Sequence, residues 1–125
     1  MNTILETLKS TGAILEGHFL LTSGLHSNKY IEKFRLIENP KSLDLVCNEM
    51  AKLFSSEDVN LVLGAAVGGI LISGGVGREL NLKHIFTERV NGIMELRRGF
   101  TIDESSKVLI VEDIVTTGGS IFELI

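Results

Sequence analysis

The stretch Val108–Ser120, read as Val-Leu-Ile-Val-Glu-Asp-Ile-Val-Thr-Thr-Gly-Gly-Ser, constrains this chain more than any other. Val108–Val111 is an unbroken β-branched and aliphatic run, short enough for a strand buried on both faces. Glu112 and Asp113 follow as adjacent carboxylates at the strand's C-terminal end. Thr116–Ser120 then offers two hydroxyls, two glycines and a third hydroxyl, and the apolar Ile121–Ile125 predicts a starting helix. A glycine-rich loop between strand and helix presents backbone N–H groups and the positive end of a helix dipole, which suits a phosphate. The acids beside it would repel phosphate, and suit ribose hydroxyls or a bridging Mg²⁺ instead. Together the parts read as a ribose 5-phosphate site.

Over all thirteen positions, Val108–Ser120 resembles the phosphoribosyl pyrophosphate (PRPP) motif of the type I phosphoribosyltransferases. A bare Thr-Gly-Gly would fit an ordinary glycine loop of any α/β domain. Strand, acid pair and loop in that order are far more specific. The resemblance implies PRPP contacts from Glu112, Asp113, Ile114, Val115, Thr116, Thr117, Gly118, Gly119 and Ser120. Within that set it implies that Thr116–Ser120 cradles the 5′-phosphate. Glu112 and Asp113 would hold the ribose hydroxyls, and Asp113 counts among the catalytic residues. Thr116 would also lie beside the base.

A second resemblance lies near the N-terminus. Gly17–Thr22 and Asn28–Phe34 read as two strands about a Ser23-Gly24 turn. The run Gly17–Tyr30 is similar to the N-terminal hood of the orotate phosphoribosyltransferases, where a Ser-Gly turn precedes a strand bearing an aromatic. Many members carry a lysine just before the Ser-Gly pair that helps hold pyrophosphate. Here that position is Thr22, so the contact is lost or comes from another residue. His18 and His26 read as solvated loop histidines, because neither has a carboxylate at an obvious spacing.

Elsewhere the pattern is structural. Asn2–Thr11 predicts a short helix, with Thr3 and Glu6 at capping-box spacing and Gly12 as its stop. Asn39-Pro40 predicts an N-cap followed by a first helical residue, and Leu43, Val46, Cys47, Met50, Leu53 and Phe54 recur at helical spacing. Leu61–Leu63 predicts a buried strand running into the small-residue loop Gly64–Gly69, followed by a helix over Ile70–Leu80. Gly74, Gly75 and Gly77 each cost that helix about 1 kcal/mol relative to alanine, which means close packing on the sheet or a shorter helix. In the family a loop in this place brings its backbone to the pyrophosphate, which assigns Ala66, Val67 and Gly68 to PRPP binding. The alternative is a plain turn between strand and helix.

Lys83–Glu88 predicts the next strand, and Val90-Asn91-Gly92-Ile93 carries the Asn-Gly signal of a two-residue hairpin. Arg89, Arg97 and Arg98 flank it. The family has a mobile loop here that closes over the reacting centre and typically carries lysine and histidine. This chain has neither between Glu88 and Lys107, so the three arginines stand as candidate catalytic cations. A solvated basic hairpin is the plainer reading.

Length and charge agree. A chain of 125 residues with 44% hydrophobic residues builds one real core. A net charge of −4 argues against a general nucleic-acid or membrane-surface role. The single cysteine, Cys47, excludes an internal disulfide and fits a reducing cytoplasm. No apolar run is long enough to span a bilayer. The expected fold is α/β: three layers, a largely parallel sheet of the type I phosphoribosyltransferase kind and a small N-terminal hood. Residues 1–38 would form the N-terminal helix and hood, and residues 39–125 the phosphoribosyltransferase core. The helix after Ser120 is cut short at Ile125, so the chain reads as the first part of a longer protein, lacking the C-terminal part of the core. The resemblance implies transfer of the phosphoribosyl group from PRPP to orotate, with Mg²⁺ held mainly through PRPP rather than by ligands from the chain, in a homodimer. A purine-base phosphoribosyltransferase and a non-catalytic PRPP-sensing regulator are the rival readings.

Overall fold

Leu61–Ala65 forms β3, the strand on which the larger part of the chain is built, and all five of its residues are buried. A computed structural model describes residues 2–20, 24–113 and 123–125. They divide into two units, Met1–Leu45 and Val46–Ile125.

In the first unit, α1 spans Asn2–Ser10, with Thr3 as its second residue. Its end follows the expectation. Gly12 adopts φ +80°, its N–H reaches Lys9 O at 3.2 Å, and the Ala13 N–H reaches Leu8 O at 2.9 Å. That is the glycine-terminated Schellman arrangement. β1 (Ile14–Leu20) and β2 (His26–Ile31) pair antiparallel from Ile14↔Ile31 to Leu20↔His26, with an irregularity between Glu16 and Phe19. The predicted second strand ran on to Phe34. It stops at Ile31, and Lys33–Ile37 forms a short helix, α2, that buries Leu36 and Ile37. The apolar pair at the helix's inner end outweighs the alternation that favoured a strand. α3 (Pro40–Lys52) begins in this unit and continues into the second, and it starts as its sequence dictates: Asn39 Oδ1 accepts the Ser42 N–H at 3.2 Å, with proline in the first helical position.

The second unit holds a four-stranded sheet in the order β5-β4-β3-β6, with β4 at Lys83–Val90, β5 at Ile93–Leu96 and β6 at Val108–Val111. β3 runs parallel to β4 and β6, while β4 and β5 form an antiparallel hairpin. Asn91 and Gly92 take φ of 51° and 80°, the double left-handed geometry that the Asn-Gly signal predicts. α4 (Gly68–Leu80) begins two residues before the expected Ile70 and runs unbroken through its glycines. Close packing is the reason. A Cβ on Gly77 would lie 2.7 Å from the Cβ of His84 on β4, and one on Gly75 would lie 2.9 Å from the Cβ of Cys47 on α3. Cys47 is itself buried and sits against the Ile72 carbonyl at 3.5 Å, where it serves as a small core residue.

Alternation along β3 assigns its two faces. Gly64 looks toward α4, since a Cβ there would press on Ser73 and Gly69. Leu61 and Leu63 therefore look the other way, where they form a buried cluster with Ile85, flanked by Phe100, Val108 and Leu124.

Candidate functional site

Parallel pairing brings three strand ends to one edge. Gly64 of β3 is level with Phe86 of β4 and Val111 of β6, so the connections after β3 and β6 leave the sheet side by side. This is the carboxyl edge at which open α/β sheets bind ligands.

Ala66–Gly68 link β3 to α4. The Ala66 N–H donates to the Thr87 carbonyl at 2.8 Å, which ties the link to β4, and the Ala66–Val67 peptide is cis. Val67 is 74% exposed at the tip, while Gly68 and Gly69 behind it are buried. Small residues make this descent possible. A Cβ on Gly64 would fall 2.6 Å from the Gly69 carbonyl oxygen and into the Ser73 hydroxyl, so only glycine lets the first turn of α4 lie directly on β3.

Glu112 and Asp113 stand immediately past β6, both partly exposed. Glu112 Oε1 accepts the Asp113 backbone N–H at 2.9 Å and lies 3.5 Å from where a Cβ of Gly69 would be. One acid thus sits over the first turn of α4, where the unpaired N–H groups and the helix dipole favour negative charge. The acid pair and the Ala66–Gly68 link are neighbours at the same edge. The rest of the motif, Ile114, Val115, Thr116, Thr117, Gly118, Gly119 and Ser120, lies outside the described residues.

The arginines occupy the hairpin. β4 runs three residues, Glu88–Val90, beyond Thr87, its last partner on β3, so the hairpin overhangs the carboxyl edge. Arg89 donates through Nη1 to Glu123 Oε2 at 2.9 Å and through Nη2 to Oε1 at 3.1 Å, and Nη1 also reaches Gly92 O at 2.8 Å. Arg98, in left-handed conformation with φ 63°, donates through Nε and Nη2 to Glu88 at 2.9 and 3.0 Å. The hydrogen bond from Arg98 holds the Glu88 carboxyl below the usual carboxylate range, with Arg97 adding to the pull. Arg89 does the same to Glu123, and each guanidinium is pushed up in turn by its carboxylate. Arg97 makes no ion pair among the described residues.

Glu88 and Glu123 are the partners that the sequence did not reveal. Arg98 and Glu88 are separated by 10 residues and Arg89 and Glu123 by 34, spacings with no helical or hairpin signature. His18 and His26 were missed in the same way. They lie on β1 and β2, not in a loop, and are each other's partner, His18 Nε2 to His26 Nδ1 at 2.6 Å. The hollow of 540 Å³ beside Asn81–Ile85 and Phe100 is at the opposite end of β4, away from the acid pair. Among the described residues no cluster of three or more His, Cys, Asp or Glu could hold a metal ion by itself. No helix of the described residues is long and apolar enough to cross a membrane.

No family model matches the chain. Its sequence is 50% identical over 122 residues to an orotate phosphoribosyltransferase of Chlorobium phaeobacteroides, covering 98% of this chain and 63% of that protein. It is likewise 50% identical over 122 residues to the orotate phosphoribosyltransferase of Thermotoga maritima, covering 98% of this chain and 65% of the relative. The chain thus spans just under two thirds of the length of these curated relatives. A solved structure of Leishmania donovani UMP synthase superposes with a TM-score of 0.81 at 25% identity, over 98% of this chain and 27% of that one. The chain is a homologue of proteins named orotate phosphoribosyltransferase, and its fold is that of the type I phosphoribosyltransferases.

Proposed function

We propose that this chain carries the PRPP-binding half of an orotate phosphoribosyltransferase, which joins orotate to the ribose of PRPP and releases pyrophosphate. The observation that carries this reading is the placement of Glu112 and Asp113 past β6, beside the Ala66–Gly68 link at the carboxyl edge of a parallel sheet. Half-identity to relatives of that name across nearly the whole chain supports it.

The chemistry asks little proton transfer of the protein, because orotate is already an anion. The ring nitrogen of orotate attacks C1 of the ribose, the C1–oxygen bond to pyrophosphate breaks, and the ribose becomes oxocarbenium-like in between. Acceleration then comes from holding the two partners in line and stabilising charge on the leaving group. In this reading Thr116–Ser120 cradles the 5′-phosphate, and Thr116 also borders orotate. Glu112 and Asp113 accept hydrogen bonds from the ribose hydroxyls, and their negative charge stabilises the cationic ring. The backbone at Ala66, Val67 and Gly68 approaches the pyrophosphate. Arg89, Arg97 and Arg98 meet it from the overhanging hairpin, Arg89 and Arg98 after exchanging their carboxylate partners for phosphate oxygens.

Mg²⁺ would be held mainly through the oxygens of PRPP itself, the hard donors it takes, and would neutralise pyrophosphate charge. We read the enzyme as a cytoplasmic homodimer that binds neither nucleic acid nor membrane. The family resemblance supports the dimer; the acidic balance and single cysteine support the rest.

The test is direct. Calorimetry should show PRPP binding to this chain in the presence of Mg²⁺, weakened by Asp113→Asn. The full enzyme should consume orotate and leave adenine, guanine and hypoxanthine untouched. PRPP binding without turnover of any base would favour a sensor, and purine turnover would move the protein to another branch.

A further inference from the structure

The paired histidines of the β1–β2 ribbon are not used by the proposed reaction. Leu20 is the direct cross-strand partner of His26, and His18 lies two residues before Leu20, so the two imidazoles stand diagonally on one face. The register change between Glu16 and Phe19 inserts one residue into β1, which turns Glu16 toward Lys29 on the other face. The two rings are exposed, meet edge to face with centroids 4.8 Å apart, and bring His18 Nε2 within 2.6 Å of His26 Nδ1.

We propose that His18 and His26 form a surface site for a single borderline transition-metal ion such as Zn²⁺, Ni²⁺ or Co²⁺. Imidazole nitrogen is a preferred donor for these ions and a poor one for Mg²⁺, which demands oxygen. Two nitrogens bound tetrahedrally to one Zn²⁺ lie about 3.3 Å apart, given bonds of roughly 2.0–2.1 Å. The two nitrogens must separate by about 0.7 Å from their present 2.6 Å, and the rings must pivot so that both lone pairs converge on one ion, movements within the reach of exposed side chains on a two-stranded ribbon. The hydrogen bond between them is exchanged for two metal–nitrogen bonds. The ring that donates in that bond passes its proton through solvent to its other nitrogen, so each ring presents a lone pair and no net charge is lost. Water completes the coordination shell, since both histidines are exposed. The site is independent of the phosphoribosyl reading, since it uses only residues of the ribbon.

The experiment is a titration of the chain with Ni²⁺ or Co²⁺, followed by NMR of ¹⁵N-histidine. The third histidine, His84, serves as the internal control. His18 and His26 ring signals should broaden together at substoichiometric metal, ahead of His84. Calorimetry with Zn²⁺ should give one ion per chain. His18→Gln and His26→Gln should each weaken binding at least about tenfold, the least expected when even an outer partner of a metal ligand is lost. Mg²⁺ in excess should not compete. Broadening at His84 first, or Zn²⁺ binding unchanged in the two variants, would overturn the proposal.

Discussion

Arg98 grips Glu88 with two parallel hydrogen bonds across ten residues of chain, and Glu88 is the more sheltered partner, 21% exposed against 62%. The guanidinium lowers the Glu88 carboxyl, so the contribution of the pair to stability carries the usual acidic sign. It is complete above the ordinary carboxylate range and is lost as pH falls through the lowered value. The raised Arg98 guanidinium moves only a strongly alkaline titration and leaves the working range alone. Glu88→Gln should therefore show a small drop in Tm at neutral pH that disappears in acid. A drop that persists unchanged at pH 2–3 would mean that packing, not charge, is responsible.

The hairpin arginines should act in the chemical step more than in ground-state binding, if they meet pyrophosphate only as the hairpin closes. Replacing Arg89, Arg97 and Arg98 with alanine, one at a time in the active enzyme, should lower kcat while PRPP affinity changes little. Three variants with wild-type kcat would leave the hairpin as a solvated surface.

The glycines of α4 divide into two kinds. Helix propensity favours alanine at each by about 1 kcal/mol. At Gly74 a Cβ finds only ordinary contacts, 3.5 Å from His84 Nδ1 and 3.6 Å from Arg78 Nη1, so Gly74→Ala should be neutral or slightly stabilising. At Gly77 it meets the His84 Cβ at 2.7 Å, and overpacking of that kind costs about 1–3 kcal/mol. Urea denaturation of the two variants should order them accordingly, and an equal loss in both would refute the packing account.

Asp113→Asn should weaken PRPP binding by on the order of 1.5–3 kcal/mol, the worth of a hydrogen bond to a charged group. Circular dichroism should be unchanged, since Asp113 is partly exposed and lies beyond the end of β6. Calorimetry decides it; an affinity equal to that of the parent removes Asp113 from the ribose.

Much of the scaffold was legible because local chemistry and tertiary packing agree there. Val108–Val111 is a strand, though only Leu109 and Val111 are buried rather than both faces, Asn39-Pro40 opens a helix, and Asn91-Gly92 closes a hairpin, each for a reason contained in a few neighbouring residues. Legibility failed where the deciding partner is distant. Nothing near Gly77 announces His84, and nothing near Arg89 announces Glu123. α2 was hidden for a different reason: five residues are too few for helical periodicity to outweigh the apolar alternation leading into them. The acid pair was placed correctly at the end of a strand, but its closeness to Gly69 is a fact of sheet order, which a sequence does not display.

β3 has hydrogen-bonded neighbours on both sides and all five of its residues are buried. Its amides can therefore meet solvent deuterium only when the Val46–Ile125 unit opens as a whole, whereas those at the Asn91-Gly92 turn need only a local breath. Exchange at Val62 and Leu63 is thus a gauge of the global free energy of that unit, readable without denaturant. Because Ala66 continues directly from this strand, the pyrophosphate-facing link that we propose is anchored to the slowest-opening part of the molecule.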